Sequence, residues 1–118
     1  MATKKKPQRH SIVIETRPVP KGRPRLGRRG RVFTPEKTLQ AEALVRGSWD
    51  GPVFEGPVAV TIMFSTTEIH ITVEEMLDVS SSKLRGDVDN YVKTVMDGLN
   101  GAAWADDKQV HHIEATKS

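Results

Sequence analysis

With 118 residues, 36% of them hydrophobic and only six aromatic, the chain has the length of one domain and material for a modest core. It has no cysteine, which excludes a disulfide framework, a thiolate zinc centre and a cysteine nucleophile, and no apolar run near the roughly 18 residues that would span a bilayer. The net charge of +3 conceals a division: residues 1–37 carry 12 Lys and Arg against two acidic residues, a net of +10, while residues 38–118 carry 6 against 13, a net of −7.

Such a split suits a polyanionic partner for the first part and a separate task for the second. Met1–His10 is basic with no apolar stretch behind it, so it does not read as a secretory signal. It is expected to be a disordered, solvated extension over residues 1–10, ahead of a folded domain over residues 11–118 in a soluble cytoplasmic protein. His10–Thr16 (HSIVIET) alternates around Ile12 and Ile14 and predicts a strand. Arg17–Pro35 follows with four Pro and three Gly, matches neither the helical nor the strand period, and predicts a loop or extended arm. Arg17, Lys21, Arg23, Arg25, Arg28, Arg29 and Arg31 lie on this arm and Lys37 just beyond it. Arg offers forked donors that suit phosphates. With Phe33 as the arm's one aromatic residue, contacts to a nucleic-acid backbone should outweigh base stacking.

Thr34 as N-cap, Pro35 at the first helical position and Glu36 and Glu42 near the positive end of the dipole predict a helix, with Leu39, Ala43, Leu44 and Trp49 on its apolar face. Val58–Ser65 (VAVTIMFS) predicts a strand with Val58, Val60, Ile62 and Phe64 on one side. Ile69–Val73 (IHITV) predicts another, with His70 turned the opposite way as a half-exposed strand residue rather than a metal ligand. Asp78–Arg85 is polar and reads as mobile. A second helix, the connection Gly101–Asp107 and a last strand over Gln109–Ala115 complete the chain. The expected fold class is α+β, one mixed β-sheet with helices packed on one face.

In the second helix Val88, Val92, Val95, Met96 and Leu99 fall on one arc of a helical wheel, and Asp89, Asn90, Lys93 and Asp97 on the neighbouring arc. Asp87 is placed to cap its start, and Asn100-Gly101 to stop it. The charges have a purely structural explanation, because Asp89–Lys93 and Lys93–Asp97 are i,i+4 pairs that support any exposed helix. A metal site is the sharper explanation. Asp87 and Asp89 bring two carboxylates near one point, Asp106 and Asp107 add two more in the turn beyond, and a hard cation takes oxygen ligands. Such carboxylates repel one another, and a bound Mg²⁺ would relieve that. His111 and His112 read as strand residues, since Mg²⁺ prefers oxygen.

Asp87-Val88-Asp89-Asn90-Tyr91-Val92-Lys93, Asp97-Gly98-Leu99-Asn100 and Trp104-Ala105-Asp106-Asp107-Lys108-Gln109-Val110 together resemble the signature of the RusA family of Holliday-junction resolvases. Upstream, Pro20-Lys21-Gly22-Arg23-Pro24-Arg25 and Gly30-Arg31-Val32-Phe33-Thr34-Pro35 resemble the family's basic N-terminal motif, so the resemblance spans about residues 11–115. It implies a phage-type, Mg²⁺-dependent homodimeric crossover-junction endodeoxyribonuclease that cuts opposed strands of a four-way junction in recombination and repair. By the same resemblance Asp87, Asp89 and Asp107 hold one or two Mg²⁺, Lys93 is the catalytic lysine, and Asn90, Asp97 and Asp106 support them. Gly86 stands where the resemblance leads one to expect Pro, and should loosen the approach to the helix. The resemblance leads one to expect a further β segment after the last motif, beyond Ser118. Two other functions stay open, a non-catalytic phage nucleic-acid-binding regulator with this fold, and a flap or fork nuclease using the same site.

Overall fold

Alternating apolar residues in two stretches build the sheet. The computed structural model describes residues 6–22, 25–26, 32–33, 35–77, 79 and 82–118, with 25–26 and 32–33 described by their backbone alone. Strand β1 is Arg9–Ile14, β2 Arg25–Leu26, β3 Val32–Phe33, α1 Glu36–Ser48, β4 Val58–Phe64, β5 Ile69–Glu75 and α2 Val88–Leu99, followed by a 3₁₀ turn at Asp107–Gln109. The fold class is α+β. The chain divides into two compact units, Met1–Val79 and Ser80–Ser118.

In the first unit β5 is the centre of a three-stranded sheet with β1 and β4 on either side, both antiparallel to it. The register sets His10, Val73 and Val60 in one row, Ile12, Ile71 and Ile62 in the next, and Ile14, Ile69 and Phe64 in a third. Because side chains alternate along a strand, these three rows share one face. The opposite face is more polar, and there the Ser11 and Thr72 hydroxyls lie 2.8 Å apart. Ser65 closes the β4–β5 turn, its hydroxyl accepting from the Thr67 and Glu68 amides. Burial is uneven: Ile14 (5% exposed) and Ile69 (8%) are enclosed, while Val60, Ile62 and Phe64 on β4 are about half open or more. His70 is half-exposed, as its alternation predicts, with Nε2 2.9 Å from Glu68 Oε1. Among the described residues the strand pairs are all antiparallel, so the parallel component of the expected mixed sheet is not seen.

Helix α1 packs against β1. Pro35 sits at its N-cap, one position later than the predicted cap, and its carbonyl accepts from the Thr38 and Leu39 amides. The expected cap Thr34 lies outside the described residues. Thr38 is the buried residue of α1, whereas Leu39 and Leu44, predicted for its apolar face, are about half exposed. The reason is a polar contact with the arm: the Thr38 hydroxyl accepts the Gly22 amide at 2.9 Å, and a Cβ on Gly22 would stand 2.8 Å from Pro35 Cγ. The arm itself is not wholly irregular, since β2 and β3 pair as Arg25–Phe33 and Leu26–Val32. Val32-Phe33 supplies strand-favouring residues that a count dominated by Arg, Gly and Pro conceals.

In the second unit Asp87 stands at the N-cap of α2, its carbonyl accepting from the Asn90 and Tyr91 amides, though its carboxylate makes no cap bond. The helix stops where predicted: Asn100 is the C-cap, and Gly101 takes a φ of +83° that L-residues with side chains rarely adopt. Two expectations fail here. Gln109–Ala115 forms no strand, and after the 3₁₀ turn residues 110–118 have no regular structure. Among the described residues of the second unit there is no strand for these residues to pair with. Nor is the approach to α2 loose. The Gly86 amide donates to Tyr91 Oη at 3.1 Å and its carbonyl accepts from Lys117 Nζ at 3.2 Å. Of the stretch expected to be mobile, Asp78, Ser80 and Ser81 lie outside the described residues, and the Ser82 hydroxyl bonds the Leu84 amide and the Ser118 carbonyl.

Candidate active site

The amphipathic pattern of α2 places Asp89, Asn90, Lys93 and Asp97 on one helix, Asp89 and Asn90 in its first turn and Asp97 in its last. Among the described residues the carboxylates of Asp87, Asp89 and Asp97 enter no hydrogen bond or ion pair, so neither of the two i,i+4 pairs with Lys93 is closed. The placement of Asp87 at the N-cap and Asp89 in the first turn still suits the positive end of the helix dipole.

The turn beyond α2 is built differently. Gly101 donates its amide to the Trp104 carbonyl at 2.7 Å, and the Ala102 and Ala103 amides bond the Leu99 carbonyl. This folds the connection back onto the C-terminal end of the helix. Asp106 caps the 3₁₀ turn, accepting the Lys108 amide at 2.8 Å, and Gln109 Oε1 reaches back to the Ala105 and Asp106 amides at 2.8 and 3.0 Å. This is a reciprocal capping box. Asp107, half-buried, accepts the indole N–H of Trp104 on Oδ1 at 2.8 Å.

These carboxylates are of the right kind for Mg²⁺, all oxygen and mostly free. They are not gathered. Among the described residues no group of three or more His, Cys, Asp or Glu is placed to hold a metal ion. The physical reason lies in the connection: Asp87 and Asp89 open a helix of 12 residues, about 18 Å long, and the turn that carries Asp107 returns to its other end. His111 and His112, expected as strand residues, lie in the irregular segment after the 3₁₀ turn, His112 exposed with Nε2 3.1 Å from Glu114 Oε1.

In the first unit a cavity of about 630 Å³ lies between α1 and the sheet, with Arg17, Lys37 and Arg46 among its lining residues beside apolar Val19, Leu44 and Phe64. Arg17 and Lys37 are expected from sequence to bind DNA. Arg46 is not, because it lies past the arm on a helix whose other charges are acidic or already assigned. Lys21 is exposed and 3.3 Å from Glu42. Arg23, Arg28, Arg29 and Arg31 lie outside the described residues, and Arg25 is described by its backbone alone. Trp104 and Gln109 also escape a reading by residue type, although both stand inside the motif that draws attention to Asp107.

A basic arm on an α+β scaffold, with free aspartates opening a helix and a capped acidic turn behind it, suits a protein that handles nucleic acid. The comparison with known families gives the class as an endodeoxyribonuclease: the family model described as Endodeoxyribonuclease RusA matches residues 15–118, and the chain belongs to the RusA family. No curated protein and no solved structure matches it. No helix among the described residues is long and apolar enough to cross a membrane.

Proposed function

We propose that this chain is a Mg²⁺-dependent nuclease that resolves four-way DNA junctions by paired phosphodiester cuts, acting as a homodimer. The observation that carries the reading is the family match over nearly the whole chain. Asp87, Asp89 and Asp107 would hold the ion, which when bound supplies a water of lowered pKa and neutralises phosphate charge. The three carboxylates are not gathered, so the remaining chemistry belongs to the chain's own groups. Lys93, one turn after Asp89, can meet the charge that develops on the phosphate or orient an attacking water. Arg17, Lys21, Lys37 and the other arm cations would bind phosphates along the branches, so affinity should fall steeply with salt.

One observation favours a second reading, a regulator that binds nucleic acid without cutting it: no metal-holding group is assembled among the described residues. A single experiment separates the two. Purified protein is incubated with a synthetic four-way junction, a linear duplex and a flap, each with Mg²⁺ and with EDTA. Paired nicks on the junction alone, abolished by EDTA and by Asp89→Asn, are the expected result. Cutting of the flap instead would move the substrate to a replication-type structure. Binding without nicks would give the second reading.

A further inference from the structure

We infer that the cavity between α1 and the sheet is a pocket for one unstacked nucleotide of the DNA, the base against its apolar walls and the neighbouring phosphates on Arg17, Lys37 and Arg46. The inference rests on the reading that the chain acts on branched DNA, and it involves none of the acidic residues of α2 and the turn beyond.

At about 630 Å³ the cavity has the size of a small-ligand pocket. Its helix wall comes from Lys37, Gln40, Ala41, Leu44 and Val45, which recur at i, i+3, i+4, i+7 and i+8 and so share one face of α1. Its sheet wall includes Ile69, 8% exposed, and the β4 partner of that residue, Phe64, 63% exposed. A ring this open can take a base on its face, and such stacking typically contributes about tenfold or more in affinity.

The charges decide the kind of ligand. Among the described residues the side chains of Arg17, Lys37 and Arg46 enter no hydrogen bond or ion pair. Glu42, the acid among the lining residues, is already 3.3 Å from Lys21. Cations beside an apolar hollow call for a ligand with an apolar body and anionic groups. An apolar segment of a second copy would cover these cations without pairing them, which is costly. Lys37 stands in the first turn of α1 and Arg46 in its last, about 13 Å apart along the axis. That spread suits a strand with repeated phosphates better than one small anion. Where strands part at a branch, a base has lost part of its stack, so drawing it out costs least there. The pocket would thus favour branched over linear DNA.

The test measures binding by the full chain, by fluorescence anisotropy in EDTA, to a four-way junction and to a linear duplex of the same sequence. Arg46→Gln removes an exposed cation that lies off the arm, and Ala41→Trp fills the cavity from its helix wall. Each should weaken junction binding about tenfold and leave duplex binding unchanged, which also shows that the variant folds. Wild-type junction affinity in either variant, or equal losses on both DNAs, would overturn the inference while leaving the nuclease reading intact. Failure of the wild type to bind the junction at all would instead remove the reading beneath it. A second measurement locates the base. A junction carrying 5-iododeoxyuridine at the branch point is irradiated in the complex, and the cross-linked peptide is sequenced by mass spectrometry. A cross-link to Phe64 that Ala41→Trp abolishes is the expected result. Cross-links confined to other residues would overturn the inference.

Discussion

His10 Nε2 lies 2.5 Å from Asp50 Oδ1, so an imidazole at the start of β1 is tied to the segment that follows α1. The hydrogen bond to His10 is the largest cause holding the Asp50 carboxyl below the ordinary carboxylate value, with the charge of His10 adding to it and desolvation opposing it. A carboxylate depressed in the folded state adds stability above its unfolded pKa and loses it as pH falls through the lowered value. The contribution of this exposed group should therefore be present at neutral pH and vanish in the acid range below about pH 4. Carbon-detected titration of Asp50 should show a midpoint that returns to the ordinary range in His10→Phe. An unmoved midpoint in that variant would mean that other groups depress it.

The His10 ring stands edge-on to Trp49, with centroids 4.9 Å apart at 78°, and Trp49 Nε1 is fixed to the Pro52 carbonyl at 3.0 Å. Gly51 lies so near that a Cβ there would meet the His10 ring at 2.5 and 2.6 Å and Trp49 Cζ2 at 2.9 Å. Gly51→Ala should push the imidazole off Trp49 and cost about 1–3 kcal/mol. Thermal unfolding would register this, and the Asp50 titration should move as it does in His10→Phe.

Gly86→Pro should destabilise the second unit, although the family resemblance leads one to expect Pro at that position. Proline would remove the amide that donates to Tyr91 Oη, and a Cβ at Gly86 would stand 2.8 Å from the Tyr91 ring. The lost bond and the crowding together should cost about 1–3 kcal/mol. Tyr91→Phe, which removes only the hydroxyl, should cost less. Denaturant midpoints for the two variants check the order, and a more stable Gly86→Pro would refute it.

Thr38→Val should cost about 1–2 kcal/mol, because it leaves the part-buried Gly22 amide without its acceptor beside a residue that is 4% exposed. Thr38→Ser keeps the hydroxyl and should recover most of the loss. Amide hydrogen exchange at Gly22 provides the reading, fast in Thr38→Val and slow in Thr38→Ser.

Most of the regular elements are legible in the sequence to within about two residues because their signals are local. Ile12 and Ile14 alternate through β1, Val58 to Phe64 through β4, and the five apolar residues of α2 share one arc. Asp87 and Gly101 are legible as helix boundaries for the same reason, each a terminal position with its own chemistry. What escapes is set by contacts between distant positions. Thr38 is buried because Gly22, 16 residues away, needs an acceptor, and no helical wheel shows that. Gly86 is held by Tyr91 and Lys117, so its small size signals close approach rather than slack. Strand propensity in Gln109–Ala115 makes no strand, since a ladder also needs a partner strand in register, which the pattern of one segment does not supply. At the acidic site the donors can be named from their types, but their separation depends on which end of α2 the following turn reaches.

Strand β4 is uncharged and free of Pro from Val58 to Phe64, and it forms one margin of the sheet among the described residues. Seven such residues, with Ile62 and Phe64 open to solvent, make a template onto which a like strand can add, layer upon layer. Storage at high concentration should therefore drive the bare protein toward fibrous precipitate, and a lysine placed at Thr61 or Met63 should delay it.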